Sequence, residues 1–125
     1  FRVADLFLDT QPYNAGTTAS DALRMGLPML TLKGEAYQAR MGASIVNALN
    51  LPELITNSPE EYESLAIELA TNPEKMKAIK DKLASNLSTA PLYDTKLFTK
   101  NLESAYTQMY EKYHNGLEPD HIYVE

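Results

Sequence analysis

The sequence predicts an α/β fold, half of a doubly wound parallel sheet followed by a run of helices. Three observations carry this. Short apolar runs at residues 3–8, 29–32 and 53–56 alternate with helical patterns, and Pro, Gly or Asn punctuates them. Strands joined in succession through a helix are almost always parallel neighbours with a right-handed crossover. Beyond Asn57 the strand signals stop and only capped helices follow.

Taken in order, residues 3–8 form an apolar run of the kind a buried strand uses. A loop over residues 9–18 carries Pro12, Asn14 and Gly16 into a helix that runs through Met25 until Gly26 stops it. Thr18 and Asp21 make a variant of the capping box, whose usual third residue is Glu or Gln, and this predicts Thr17 or Thr18 as the N-cap. The helix then opens with free amide donors beside two hydroxyls and a small Gly16. Unpaired N–H groups, a positive dipole end and close backbone approach suit a phosphate. They suit a plain cap equally, and spacing alone leaves both readings open. No GxGxxG or GxxxxGK[ST] occurs, which argues against a dinucleotide dehydrogenase and a P-loop nucleotidase.

After Gly26-Leu27-Pro28, residues 29–32 predict a second strand, ended by Lys33-Gly34. A second helix is expected over residues 35–49, with Gly42, Ile45, Val46 and Leu49 on one face, and a third strand over residues 53–56. Ser58-Pro59-Glu60-Glu61 combines an N-cap, a Pro at the first helical position and a capping-box Glu, with Tyr62, Leu65, Ala66 and Leu69 facing inward. Asn72-Pro73 opens the next helix in the same way. It places Met76, Ile79, Leu83 and Leu87 on one face and Lys75, Lys77, Lys80 and Lys82 on a solvated one. Residues 90–93 read as an extended link. Asp94 caps a long last helix to about Asn115, ended by Gly116, with Phe98, Leu102, Ala105, Met109 and Tyr113 as its buried stripe. Residues 117–125 read as an extended tail. One structural domain is expected, made of a part at 1–92 and a last helix with its tail at 93–125.

Composition narrows the function. A chain of 125 residues that is 44% hydrophobic can bury one ordinary core. No apolar run approaches a membrane span and no signal peptide opens the chain, so a cytoplasmic protein without a membrane partner is expected. The chain begins at Phe1 rather than Met, which reads as a piece of something longer. Zero cysteines leave no disulfide or thiol chemistry, and His114 and His121 offer no zinc site, so no metal is expected. A net charge of −6 argues against nucleic acid.

In an open parallel sheet, ligands bind beyond the carboxyl ends of the strands. The loop at 9–18 is the longest there and the expected diphosphate contact, through Gly16, Thr17 and Thr18, with Asn14 in the same loop. Lys33, after the second strand, adds a charge if it folds over that edge and is otherwise solvated. Asp21, one turn into the helix, is placed to accept two sugar hydroxyls or to complete the cap.

The residues also carry a resemblance. Ala4-Asp5, Leu8-Asp9-Thr10, Asn14, Thr17-Thr18, Asp21, Leu23, Gly26-Leu27-Pro28-Met29, Gly34-Glu35, Arg40 and Ala43-Ser44 closely resemble the C-terminal catalytic half of protein O-GlcNAc transferases of the SPINDLY type. Glu53-Leu54-Ile55, Glu61-Tyr62, residues 91–95, Leu102-Glu103, Tyr106, Met109 and Pro119-Asp120-His121 extend the match over essentially the whole chain. The resemblance implies an inverting, metal-independent GT-B glycosyltransferase, of which this chain is a Rossmann-like piece of the C-terminal, donor-binding domain. The donor would be UDP-GlcNAc and the acceptors Ser or Thr hydroxyls of proteins. Thr17 and Thr18 would contact the diphosphate and Asp21 the ribose. No catalytic base is found in the chain, and the other donor contacts would lie upstream of Phe1.

The partners implied are an N-terminal GT-B domain and acceptor proteins, with helical repeats of the TPR type a further attachment left open. The last helix, cut from its neighbour, is expected to expose apolar surface and to associate with another copy. One position departs from the pattern: animal members place a histidine just before the Thr-Thr pair, and Gly16 stands there. Two alternatives follow, a protein-binding relative without transferase activity and a GT-B enzyme using another nucleotide sugar such as GDP-fucose.

Overall fold

A computed structural model describes residues 3–124; Phe1, Arg2 and Glu125 lie outside the described residues. The strand and helix signals resolve into three parallel strands with helices between and after them. β1 (Phe7–Leu8), β2 (Met29–Leu32) and β3 (Ile55–Thr56) form a sheet in the order β1-β2-β3. Phe7 pairs with Met29 and Leu8 with Leu30, while Thr31 pairs with Ile55 and Leu32 with Thr56. The crossovers are α1 (Thr17–Arg24) and α2 (Met41–Ala48). This is the α/β fragment that the sequence predicts.

Several boundaries differ from the sequence reading. The first strand is two residues long rather than six, because only Phe7 and Leu8 find partners on β2. The helix expected over 35–49 begins only at Met41, since residues 37–39 form a tight 3-10 turn in which Arg40 N–H bonds the Tyr37 carbonyl at 3.1 Å. Residues 52–54 form another such turn, leaving Ile55 and Thr56 as strand. The expected extended link at 90–93 is a third turn, Pro91–Tyr93.

The caps explain why the later helices start where they do. In α3 (Pro59–Thr71) the Ser58 hydroxyl accepts the Glu61 N–H at 3.1 Å, and the Glu61 carboxylate reaches back to the Asn57 N–H at 2.8 Å. In α4 (Pro73–Asn86) the Asn72 side chain accepts the Lys75 N–H at 3.0 Å. All four α4 lysines reach carboxylates: Lys75 meets Glu68, Lys77 meets Asp81, Lys80 meets Asp5 and Lys82 meets Glu53.

The chain divides into two compact units, Phe1–Leu92 and Tyr93–Glu125. The core of the first collects Leu23 from α1, Met29 and Leu30 from β2, Val46 from α2, Leu69 from α3 and Leu83 from α4. The second consists of α5 (Thr95–His114) and the tail. Asp94 caps α5 by accepting the Leu97 N–H at 2.9 Å, and Gly116, at φ 65°, follows its end in the left-handed region. The stripe expected to be buried is not. No residue of α5 is buried, and Phe98 and Tyr113 are 65% and 79% exposed. The tail runs back beside the helix, with Gln108 donating to the Tyr123 carbonyl at 3.3 Å.

Candidate functional site

The site grows from the end of β1. Asp9 leaves the strand buried, 5% exposed, and both oxygens of its carboxylate are engaged. One oxygen accepts the N–H groups of Thr10 at 2.9 Å and Ala15 at 2.8 Å. The other accepts the hydroxyl of Thr31, on β2, at 2.7 Å. Such pairing is what a buried carboxylate requires. The carbonyl of Asp9 is held as well: the Tyr62 hydroxyl, from α3, donates to it at 2.9 Å. Burial first, and the Asp9 charge second, push the Tyr62 phenol above its ordinary value of 10.0.

Asn14 is completely buried and closes the loop onto the start of α2. Its side-chain amide donates to the Thr10 carbonyl at 2.9 Å and accepts the Gly42 N–H at 3.2 Å, while its own N–H bonds the Gln38 carbonyl at 3.0 Å. Gly42 is required by this approach, because a Cβ there would run into the Asp9 carboxylate and the Thr31 hydroxyl. Gln11 reaches across to the carbonyl of Leu32, and the Gln11–Pro12 peptide is cis.

The loop delivers the chain into α1, and here the capping expectation is corrected. Gly16, not a threonine, is the N-cap residue, and it has no side chain with which to cap the helix. Thr17 and Thr18 are therefore the first two helical residues, exposed, with their N–H groups ahead of the first intrahelical bond, Ser20 N–H to Gly16 carbonyl at 3.0 Å. Asp21 is exposed on the next turn. Uncapped donors at a dipole's positive end, next to two free-facing hydroxyls and beyond the carboxyl end of a strand, form a surface an anion can occupy. A side chain at Gly16 would press on the Met41 sulfur, 2.9 Å from an ideal Cβ.

Gly16, Thr17 and Thr18 are thus brought to the N-terminal end of α1, with Asp21 one turn further along. Asn14 is spent inside the loop. Lys33 is exposed and lines a separate groove of about 390 Å³ with Arg40, Ser44 and Asn57, a groove whose lining includes no residue of the 9–16 loop. Neither Lys33 nor Arg40 makes an ion pair among the described residues. His114 packs against Tyr110 at the end of α5, ring centroids 4.1 Å apart and the planes tilted by 50°. Among the described residues no group of three His, Asp or Glu side chains forms a metal site, and no helix is long and apolar enough to cross a membrane.

Sequence reasoning gave no role to the side chains of Asp9 and Thr31, and placed Tyr62 only on the inward face of its helix. A carboxylate at the end of an apolar strand, with a threonine inside the next strand, was the available signal, since a buried charge demands donors.

Comparison with known proteins covers the same stretch of chain. The model of glycosyl transferase family 41 matches residues 1–102. A protein of Arabidopsis thaliana, described as a "probable" UDP-N-acetylglucosamine-peptide N-acetylglucosaminyltransferase SEC, is 40% identical over 98% of this chain. A UDP-N-acetylglucosamine-peptide N-acetylglucosaminyltransferase of Caenorhabditis elegans is 33% identical over 97% of it. The solved structure of a mutant Thermobaculum terrenum O-GlcNAc transferase superposes on 84% of the chain with a TM-score of 0.79 and 34% identity. The chain spans 13% of the Arabidopsis relative, 10% of the Caenorhabditis relative and 20% of the Thermobaculum chain.

Proposed function

The chain belongs to glycosyl transferase family 41, and from that premise we propose that it supplies the diphosphate-binding surface of a protein O-linked N-acetylglucosaminyltransferase. The observation that carries the reading is the uncapped start of α1 with Thr17 and Thr18 at the carboxyl edge of the sheet. The names of the relatives supply the donor, UDP-GlcNAc, and a peptide acceptor.

In the proposed reaction a Ser or Thr hydroxyl of a protein attacks C1 of the GlcNAc, the bond from C1 to the diphosphate oxygen breaks, and UDP leaves with inversion at C1. Negative charge grows on the leaving diphosphate. The N–H groups and hydroxyls of Thr17 and Thr18 meet it with preorganised donors, an arrangement worth several kcal/mol in comparable sites. Gly16 gives the diphosphate close access to the backbone, and Asp21 accepts the ribose hydroxyls. No metal enters this scheme, and the acceptor proton goes to a group outside this chain. The reaction therefore also needs a further GT-B domain to complete the cleft.

Calorimetric titration of the complete protein with UDP, UDP-GlcNAc, GDP and GDP-fucose tests the reading. Uridine nucleotides are expected to bind in preference to guanosine ones, with or without a chelator. A guanosine preference would assign another donor, and binding of none of the four would leave a protein-binding relative.

A further inference from the structure

We propose that the buried carboxylate of Asp9 is the positioning residue of the donor loop, locked by the Thr31 hydroxyl from β2 and seconded by the Tyr62 hydroxyl from α3. The inference rests on the donor reading above for its functional half. Its structural half stands on geometry alone.

The loop from Asp9 to Gly16 has to present the first turn of α1 in one place, and its own sequence, with Pro12, Asn14 and Gly16, supplies no regular structure to do so. What holds it are three parts of the chain distant in sequence. Thr31 bonds the Asp9 carboxylate from β2, Tyr62 bonds the Asp9 carbonyl from α3, and Gly42 bonds Asn14 from α2. The same Asp9 carboxylate accepts the Ala15 N–H, one residue before the N-cap and two before Thr17. A shift of Asp9 is therefore passed directly to the backbone that aims the Thr17 and Thr18 N–H groups. Asp9 touches no donor atom in this scheme, being 5% exposed, and acts through the loop.

The lock is also crowded. Gly42 leaves no room for a methyl beside the carboxylate, so the charge has one seat. Removing the Thr31 hydroxyl leaves a buried carboxylate oxygen without its donor, which favours loop conformations that let water reach it. Apparent affinity falls with the fraction of molecules whose loop is in the competent position.

The test uses Thr31→Val, Thr31→Ser and Tyr62→Phe in the complete protein, with two readouts taken well below each melting temperature. Amide hydrogen exchange over residues 9–18 reads the loop without any ligand. Donor binding and kinetics read its consequence. In Thr31→Val, exchange at the Ala15 amide is expected to quicken, and UDP affinity to fall on the order of tenfold, with donor KM rising and kcat within about twofold of the parent. Thr31→Ser restores both, because it returns the hydroxyl. Tyr62→Phe, the milder change, shows the same pattern at about threefold, and it decides the matter should Thr31→Val fold poorly.

Unchanged exchange in a folded Thr31→Val or Tyr62→Phe would overturn the lock. Quickened exchange with unchanged UDP affinity would reduce Asp9 to a stabilising residue and overturn its positioning role. Parent protein that binds no UDP while Thr31→Val still quickens exchange would overturn the donor reading, and the functional half of the inference with it.

Discussion

At the residue scale, Thr17 and Thr18 show how a small change of register alters a prediction. As N-caps they would stabilise α1 through their side chains; as the first two helical residues they do not, because Gly16, which has no side chain, occupies the cap. Replacing both by Ala is accordingly expected to leave stability within about 0.5 kcal/mol of the parent. UDP affinity should still fall by about 1 to 3 kcal/mol, through lost hydrogen bonds to charged oxygens. Parallel melting and UDP titration separate these effects, and a folded double variant with undiminished affinity would remove both threonines from the site. Tyr62 offers a second residue-scale check. Its phenol titrates above the ordinary value, so its contribution to stability is fully present below about pH 10 and is lost as pH rises through the higher folded value. The stability difference between the parent and Tyr62→Phe should therefore shrink above pH 10, as urea titrations at pH 8 and at alkaline pH would show; a difference that grows with pH would contradict the assignment. The place of Thr17, Thr18 and Asp21 in the first turns of α1 was legible in the sequence, because Pro12, Asn14 and Gly16 punctuate the loop before them, although the cap fell one residue earlier than expected. The Asp9 to Thr31 bond was not, since it joins residues 22 apart and a threonine in a strand is ordinary.

At the element scale, the helix starts were readable and the short strands were not. Ser58, Asn72 and Asp94 announce their helices by side chains that bond within three residues, so local sequence contains the whole interaction. The lengths of β1 and β3 depend on which residues find a partner on β2, and that is tertiary information. The opening of α2 failed for a related reason. Residues 37–39 tighten into a 3-10 turn that closes with the Gly34 N–H on the Ala39 carbonyl at 2.8 Å, and Gly42 then sits against the 9–16 loop, its N–H on the Asn14 side chain. That packing makes Gly42→Ala costly despite Ala's better helix propensity. A methyl at this point displaces the Asp9 carboxylate, and a loss of about 1 to 3 kcal/mol is expected in urea unfolding. A gain in stability would mean that α2 does not sit against Asp9.

At the scale of the whole molecule, the two units differ in how they satisfy their apolar residues. The first builds a core; α5 buries none of its residues, leaving Phe98, Tyr106, Met109, Tyr110 and Tyr113 each more than half exposed. The helical period of this stripe was plain in the sequence, but period says only which residues share a face and not what covers them. Apolar faces of this breadth are usually covered by another molecule. The isolated chain is thus expected to sediment as concentration-dependent oligomers, and Phe98→Glu with Met109→Glu to return it to a monomer; a strictly monomeric parent chain at high concentration would contradict this. Because the chain spans 13% of its Arabidopsis relative, it should also transfer no sugar by itself, and GlcNAc transfer by this chain alone would overturn the division of labour proposed above. The central claim is that the donor diphosphate rests on the start of α1. A crystal structure of the complete protein with UDP tests it most directly. The account predicts diphosphate oxygens within hydrogen-bond distance of Thr17 and Thr18 and the ribose hydroxyls on Asp21; a diphosphate seated instead in the groove of Lys33 and Arg40 would contradict it.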